Sequence, residues 1–167
     1  MEDLKDIRPN QSVELLKSLH ILTRDGKINQ DSRRKLKQVY HLYQLIVPYL
    51  EKALADNPHF SLVDHGAGKS YLGFILYDLF LKDKGGALYA IEHRPELIEK
   101  AKVLAETLKF DRMHFFASDI KNSLEDPILP NKVDMVTALH ACDTATDDAI
   151  LFGLKKEAQY IVLIPCC

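Results

Sequence analysis

Three acidic residues, Asp64, Glu92 and Asp119, each stand at or just after the end of a short apolar run. A Gly-x-Gly turn at Gly66 and Gly68 follows the first of them, and glycines let a backbone approach a ligand with no Cβ in the way. A carboxylate after a second strand can accept hydrogen bonds from both hydroxyls of a ribose. One after a third strand can accept from an exocyclic adenine amine. Their order along the chain therefore predicts an adenosine ligand lying across the first three strands.

Two familiar nucleotide motifs do not fit this turn. Gly68-Lys69-Ser70 resembles the end of a phosphate-binding P-loop, but that motif needs a glycine five residues earlier, where Val63 stands. The dinucleotide fingerprint fails because Tyr71 occupies the place of its third glycine. The sequence therefore argues against an NTPase and an NAD enzyme, and a simple strand-to-helix turn stays an alternative for the loop taken alone.

Five β-type runs separated by helical stretches position these acids. The predicted strands are 61–63, 87–91, 113–116, 133–139 and 160–164. The predicted helices between them are 69–81, 95–108, a weak stretch near Leu124, and 146–155. This alternation is typical of an α/β fold, a doubly wound and mostly parallel Rossmann-like sheet, whose ligands bind beyond the carboxyl ends of the strands.

The first part of the chain follows a helical pattern instead. We predict a helical N-terminal extension over 1–57 and the α/β domain over 58–167. The second helix of the extension begins at Asn29 or Asp31, since either can cap it. Pro48 lies inside its apolar stripe and is expected to kink or divide the helix.

Composition excludes several classes of protein. The 167 residues are 47% apolar and 28% charged with a net charge of −2, which argues against a strongly basic histone-like binder and an acidic disordered tail. No apolar run is long enough to span a membrane, and the acidic start does not resemble a signal peptide. Three cysteines, two of them adjacent, favour a reducing compartment, so we predict a cytoplasmic protein without membrane contact.

The Asp-His-Gly-Ala-Gly run that starts at Asp64, followed by Glu92 and Asp119, resembles the class I S-adenosylmethionine-dependent methyltransferases. The resemblance implies S-adenosylmethionine as cofactor, with Asp64 and its glycine turn at the methionine part. It also implies that Glu92 holds the ribose, His93 flanks the adenine and Asp119 binds its amine. Ser70 replaces the third glycine common in these enzymes, a position that varies among them. The predicted cofactor residues are Asp64, Gly66, Gly68, Glu92, His93 and Asp119.

The second half of the chain resembles one branch of these enzymes. A Leu-His-Ala-Cys-Asp-x-Ala-Thr-Asp stretch begins at Leu139, and a Pro-Cys-Cys sequence ends at Cys167. Both are similar to the methyltransferase domain of the glutathione-transferase-like C-terminal-domain protein. The tRNA 2′-O-methyltransferases carry a similar stretch, with a glycine common where Asp143 stands here. The resemblance covers about 33–167 and favours RNA modification, with RNA as the methyl acceptor.

Three alternatives exist for the residues after the fourth and fifth strands. In the first, His140 or Asp143 positions or deprotonates a substrate hydroxyl, and these are the predicted catalytic residues. In the second, His140 and three thiols, Cys142, Cys166 and Cys167, bind zinc, although the spacing is not that of a standard finger. In the third the cysteines are inert and buried, and on this ground no metal is predicted.

The basic stretch at 33–37, with Arg33, Arg34, Lys35 and Lys37, has two interpretations. It can contact phosphates, or it can be the solvated face of a helix, and the pattern favours the second.

The end of the chain sets a further expectation. Sheets of these enzymes usually continue past the fifth strand, and the sequence stops at Cys167. We therefore expect cofactor binding with poor methyl transfer, and self-association along the open strand edge. The rival hypothesis is a non-catalytic module of methyltransferase fold that binds a protein partner.

Overall fold

The computed structural model describes residues 7–139 and 144–164. Its five strands are all parallel and stand in the order β3-β2-β1-β4-β5. They are β1 Ser61–His65, β2 Ala87–Glu92, β3 Met113–Ala117, β4 Met135–Leu139 and β5 Tyr160–Ile164. The predicted fold class is therefore confirmed. The chain changes direction along the sheet between β1 and β4, so the switch point lies at the carboxyl ends of these two strands.

Helices cover both faces of this sheet. They are α1 Val13–Ser18, α2 Gln30–Asp56, α3 Tyr71–Leu76, α4 Lys82–Lys84, α5 Pro95–Leu108, α6 Ile120–Ser123 and α7 Thr144–Lys155. A π-helical turn, Tyr77–Leu81, joins α3 to α4. Successive residues of β1 point to opposite faces, so Leu62 packs in the core with α2, α3 and α5, and Val63 packs with Phe152 of α7.

The long helix α2 continues through Pro48, so the predicted division there is wrong. Asn29, one of the two predicted caps, does cap its first turn. Proline removes one helical hydrogen bond, but Pro48 is exposed, where water can satisfy the freed carbonyl. Ile46 and Leu50 on either side are fully buried, and their packing holds the helix together.

The N-terminal helices pack in the same apolar core as the sheet. Leu15 and Leu16 of α1 are fully buried, and the backbone N–H of Ser12 donates to the buried carboxylate of Asp78 at 2.8 Å. The boundary at residue 57 stays a prediction. Within the described ranges, no helix has the length and apolar character needed to cross a membrane.

Candidate functional site

The loop between β1 and α3 presents bare backbone to the carboxyl edge of the sheet. Gly66 and Gly68 have φ angles of +61° and +58°, in the left-handed region that glycine adopts without strain. The N–H of Ala67 donates to the carbonyl of Ile91 at 3.1 Å and ties the loop to β2. Apart from Gly66 and the two residues next to it in the chain, no described residue has an atom within 4 Å of the place where a Cβ on Gly66 would stand. A ligand can therefore approach the loop closely.

Asp64 lies at the base of this loop and is buried. Its Oδ1 accepts a hydrogen bond from the Thr137 hydroxyl at 2.7 Å, across the register that pairs these two residues of β1 and β4. Burial raises the pKa of Asp64 to about 7, and the Thr137 hydrogen bond opposes that shift. A cationic ligand group beside Asp64 would favour its ionised form.

His65 points to the opposite face of the sheet and has a different role. Its ring is fully buried edge-on against Phe152, with the ring centroids 4.3 Å apart. Burial lowers its pKa to about 3, so the imidazole is neutral. Within the described part of the chain neither ring nitrogen has a hydrogen-bond partner. His65 is therefore a packing residue, away from the glycine loop.

Glu92 ends β2 and bonds directly to the glycine loop. Its Oε2 accepts the N–H of Gly68 at 2.8 Å, and its Oε1 accepts the Nε and backbone N–H of Arg94 at 2.7 and 3.2 Å. Burial raises the pKa of Glu92, but these hydrogen bonds lower it by more, so the net shift is downward. The structure thus brings together Gly68 and Glu92, two predicted cofactor residues, and keeps the carboxylate charged.

The other two predicted adenosine residues are exposed. The Nδ1 of His93 lies 3.0 Å from the Oε1 of Glu92. Asp119 caps α6, with its two carboxylate oxygens accepting the backbone N–H and the side-chain Nδ2 of Asn122 at 2.8 and 2.7 Å. The N–H of Ser118 donates to the Glu92 carbonyl at 3.1 Å, so the ends of β2 and β3 are adjacent. Both residues stay predicted ligands, and Asp119 already has a helix-capping role.

A cavity of about 600 Å³ opens above the glycine loop and Asp64, while Glu92, His93 and Asp119 lie outside its lining. Asp64 and the glycine loop line its base, and the ends of β4 and β5 contribute Leu139 and Ile164. The first half of α2 forms the facing wall. The polar residues around the cavity are Lys35, Gln38 and His41 of α2, with Lys69 and Arg94. The cavity therefore has a buried carboxyl group, that of Asp64, at its floor and cationic side chains around its opening.

Sequence reasoning missed three parts of this site. Thr137 is the only polar residue of the buried strand β4, and that interruption of an apolar run was a usable signal. Arg94 carries no pattern that singles it out from other surface arginines. On the α2 wall, Lys35 belongs to the basic stretch whose pattern favours a solvated helix face, and Gln38 and His41 carry no signal. Only the packing of α2 over the sheet places these residues at the site.

The predicted catalytic residues His140 and Asp143 lie outside the described residues, as do Cys142, Cys166 and Cys167 of the zinc alternative. In residues 7–139 and 144–164, no three potential metal ligands cluster together.

Comparison with known proteins gives one family and a set of relatives. Residues 34–167 match a family model described as "Methyltransferase domain". Ribosomal RNA small subunit methyltransferase G of Streptococcus gordonii is 29% identical over 114 residues, covering 67% of this chain and 46% of that protein. The protein of the same name from Streptococcus sanguinis is 31% identical, with the same coverage. The chain thus spans about half the length of the curated relatives it matches.

A solved structure shares the fold. It comes from Galdieria sulphuraria and is described as a sarcosine dimethylglycine methyltransferase. It superposes with a TM-score of 0.50 and 15% identity, over 73% of this chain and 41% of that one. At this identity the similarity concerns the arrangement of strands and helices alone.

Proposed function

The chain belongs to the methyltransferase domain family, and from that premise we propose that it binds S-adenosylmethionine in the 600 Å³ cavity and directs methyl transfer to RNA. When bound, this cofactor supplies an electrophilic methyl group on a sulfonium. The chain's own residues bind it, orient it and position the acceptor.

One observation carries the cofactor assignment: two buried carboxylates flank a glycine loop that is open to the cavity. Asp64 lies where it can pair with the cationic amino group of the methionine part. Glu92, held ionised, can accept hydrogen bonds from ribose hydroxyls. The open space over Gly66 admits a ligand against the backbone. The cavity volume falls within the range of about 300–1,000 Å³ usual for cofactor sites.

Two observations support RNA as the acceptor. Both curated relatives are named as ribosomal RNA methyltransferases. The rim of the cavity carries Lys35, Lys69 and Arg94, and cations at such a mouth suit the phosphates of a nucleic acid. The tRNA-enzyme resemblance of the stretch after β4 favours the same substrate class.

We assign His140 and Asp143 the role of positioning or deprotonating the acceptor hydroxyl. Their support is their place in the chain. They follow Leu139, which lines the cavity at the end of β4, and β4 neighbours β1, which carries Asp64. A buried site at this point would hold the acceptor in line with the methyl group and exclude water.

The test is calorimetric titration with S-adenosylmethionine and S-adenosylhomocysteine, followed by transfer of a radiolabelled methyl group to total RNA and to total cell protein. We expect both compounds to bind and methyl transfer to be slow, with the label entering RNA in preference to protein. Tighter binding of ATP or NAD would contradict the cofactor assignment. Absence of cofactor binding would favour the non-catalytic interaction module. Label in protein alone would contradict the RNA assignment.

Self-association along β5 belongs to the same proposal. Every residue of β5 is half-buried, and in the described part of the chain this strand pairs with β4 alone. An edge strand with free N–H and C=O groups can pair with a second copy. Sedimentation at several concentrations measures this, with a dimer expected for the parent and a monomer when Leu163 is replaced by proline. The Tyr160 N–H donates to β4, so the alternation along the strand turns the Leu163 N–H to the open edge, and proline removes that donor.

A further inference from the structure

A second cavity, of about 440 Å³, lies between the end of α1, the start of α3 and the outer face of α5. It shares Lys69 and Tyr71 with the larger cavity, so the two adjoin at the loop between β1 and α3. Its remaining wall comes from α5, from Phe74 of α3 and from residues 18–20, none of which line the cofactor cavity. It is therefore a separate site beside the proposed cofactor site.

The lining of this second cavity combines apolar surface with positive charge. Leu97 and Leu104 are among its apolar residues that keep exposed surface, while Lys69 and Lys100 supply positive charge and His20 supplies an imidazole. No Asp or Glu from residues 7–139 and 144–164 lines it. Such a cavity suits a ligand with a planar ring and an attached anionic group, because the ring can pack on the apolar wall while the anion contacts the lysines.

The two lysines of this cavity are available to a ligand. Within the described residues, neither Lys69 nor Lys100 makes an ion pair. Lys102, two residues further along α5, shows the contrast, because its Nζ lies 3.2 Å from the Glu99 carboxylate. One helix thus carries a neutralised lysine on one side and an unneutralised lysine at the cavity.

A path of positive charge joins the two cavities. The Nζ of Lys35 lies 3.5 Å from the centre of the Tyr71 ring, on the side of the cofactor cavity. The Tyr71 hydroxyl donates to the Leu19 carbonyl at 3.0 Å, at the edge of the second cavity. Lys69 borders both. A nucleic acid strand crossing this loop would meet Lys100, Lys69 and Lys35 in turn.

We propose that the second cavity is a subsite for one nucleotide of the RNA substrate, next to the nucleotide that is methylated. The base packs on the apolar wall, and the phosphate contacts Lys69 and Lys100. Single-stranded nucleic acid is bound in this way, by stacking or apolar contact with bases and by cations along the backbone. The inference rests on the proposed RNA acceptor, and it adds a second surface of the chain to which that RNA binds.

The experiment measures binding of a fluorescent 20-nucleotide single-stranded RNA of mixed sequence to the full chain at several salt concentrations. The variants are Lys100→Glu, the matched control Lys102→Glu, and the conservative Lys100→Arg. We expect Lys100→Glu to weaken RNA binding roughly five- to tenfold and to reduce the salt slope by about one. Lys102→Glu and Lys100→Arg should bind like the parent, and all variants should bind S-adenosylhomocysteine equally well.

The outcomes separate this inference from the function on which it rests. RNA binding by Lys100→Glu equal to that of Lys102→Glu overturns the subsite and leaves the RNA acceptor standing. A parent chain that binds S-adenosylhomocysteine but no RNA overturns both. Poly-glutamate competing with RNA as effectively as unlabelled RNA of equal charge would show a general anion surface and overturn the nucleotide assignment.

Discussion

The ends of β1 and β2 carry two carboxylates whose pKa values are shifted in opposite directions. Asp64 and Glu92 are each 2% exposed, yet the pKa of Asp64 is raised to about 7 and that of Glu92 is lowered. Two things differ: Asp64 is enclosed by protein on all sides whereas Glu92 lies nearer the surface, and the two carboxylates have different hydrogen-bond donors. Glu92 accepts from two backbone N–H groups and from the Nε–H of a guanidinium, whereas Asp64 accepts from a single hydroxyl. Hydrogen-bond donors, and not burial alone, set the charge of a strand-end carboxylate.

This difference matches what each end of the cofactor would require. Ribose hydroxyls are neutral donors, so Glu92 has to carry its charge before the ligand arrives. The amino group of a methionine part is a cation, and its arrival would ionise Asp64 by direct attraction. Binding at pH 6 to 7 should therefore release a proton from Asp64, while Glu92 stays ionised throughout.

Removing the charge of Asp64 should produce the largest effect on stability. A carboxyl with its folded-state pKa raised to about 7 from 3.8 holds its proton in the folded state only, so stability falls as pH rises through that window. At about 1.4 kcal/mol per pKa unit, the penalty above pH 7 approaches about 4 kcal/mol. We expect Asp64→Asn to unfold at higher urea concentration than the parent at pH 8, with little difference at pH 4.

The matched control for this prediction is Asp119→Asn. Asp119 is an exposed cap, and asparagine caps a helix about as well as aspartate. Urea unfolding of this variant should follow the parent at both pH values. An Asp64→Asn protein no more stable than the parent at pH 8 would show that Asp64 is already ionised in the folded state without cost.

Truncating Glu92 should weaken cofactor binding. Glu92→Ala removes a charged acceptor that would hold ribose hydroxyls, and charge-assisted hydrogen bonds contribute roughly 1.5–3 kcal/mol. Titration with S-adenosylhomocysteine should show that loss, whereas Glu99→Ala on the exposed face of α5 should bind normally. Unchanged affinity in Glu92→Ala would disprove the ribose assignment.

His65 adds to this comparison because it makes stability depend on pH in the direction opposite to Asp64. Its folded-state pKa is about 3 against 6.5 unfolded, so the unfolded state binds the extra proton and stability falls as pH drops below 6.5. In the parent, Asp64 opposes this slope between about pH 4 and pH 6.5. In Asp64→Asn the slope should emerge, as a loss of about 2 kcal/mol from pH 7 to pH 5.

A second substitution tests that account. The double variant Asp64→Asn, His65→Leu should lose this acid sensitivity. The control is the double variant Asp64→Asn, His59→Leu, which replaces an exposed histidine and should keep it. Urea unfolding at pH 5 and pH 7 measures all three. An Asp64→Asn protein equally stable at both pH values would mean that His65 titrates alike in the folded and unfolded states.

The fold was predictable because its signals are local. Apolar runs of strand length, punctuated by Gly66 and Gly68 and by a capping residue such as Asn29, predict the alternation that the structure shows. The methyltransferase family expected from the motifs is confirmed by the family match. The predicted division of α2 at Pro48 was wrong because the lost hydrogen bond can be read from the sequence, whereas the tertiary packing of the buried residues on either side, which offsets it, cannot.

The residues of the site were predictable only where their own segment of the chain identifies them. The glycine loop and Glu92 follow directly from strand ends, and the structure bonds them together. The pKa of Asp64 depends first on its burial and then on the hydrogen bond from Thr137, 73 residues away, and the α2 wall depends on how a distant helix packs. The second cavity is lined by three separate helices, with Tyr71 on α3 and Lys100 on α5. A pattern along the sequence does not predict a surface that forms only when these helices pack together.

The smallest expected effect concerns Arg94, the residue that makes Glu92 unlike Asp64. Its Nε and N–H both bond the Oε1 of Glu92, an oxygen that a ribose would need, and its side chain is half-exposed. A half-exposed ion pair is a weak competitor, so Arg94→Ala should tighten S-adenosylhomocysteine binding by roughly two- to fivefold. In this variant Gly68 still donates to the other carboxylate oxygen, and the backbone N–H of residue 94 still donates to Oε1, so only the competing Nε–H is removed.

Arg94→Lys is the control that separates charge from geometry. Lysine keeps the positive charge beside Glu92 but lacks the Nε–H donor that now lies 2.7 Å from its Oε1. If occupation of that oxygen is what opposes the ribose, Arg94→Lys should also bind more tightly than the parent, though by less than Arg94→Ala. Weaker binding in both variants would show instead that the guanidinium holds Glu92 ready for the ligand. The low pKa of Glu92 would then be part of the binding site itself.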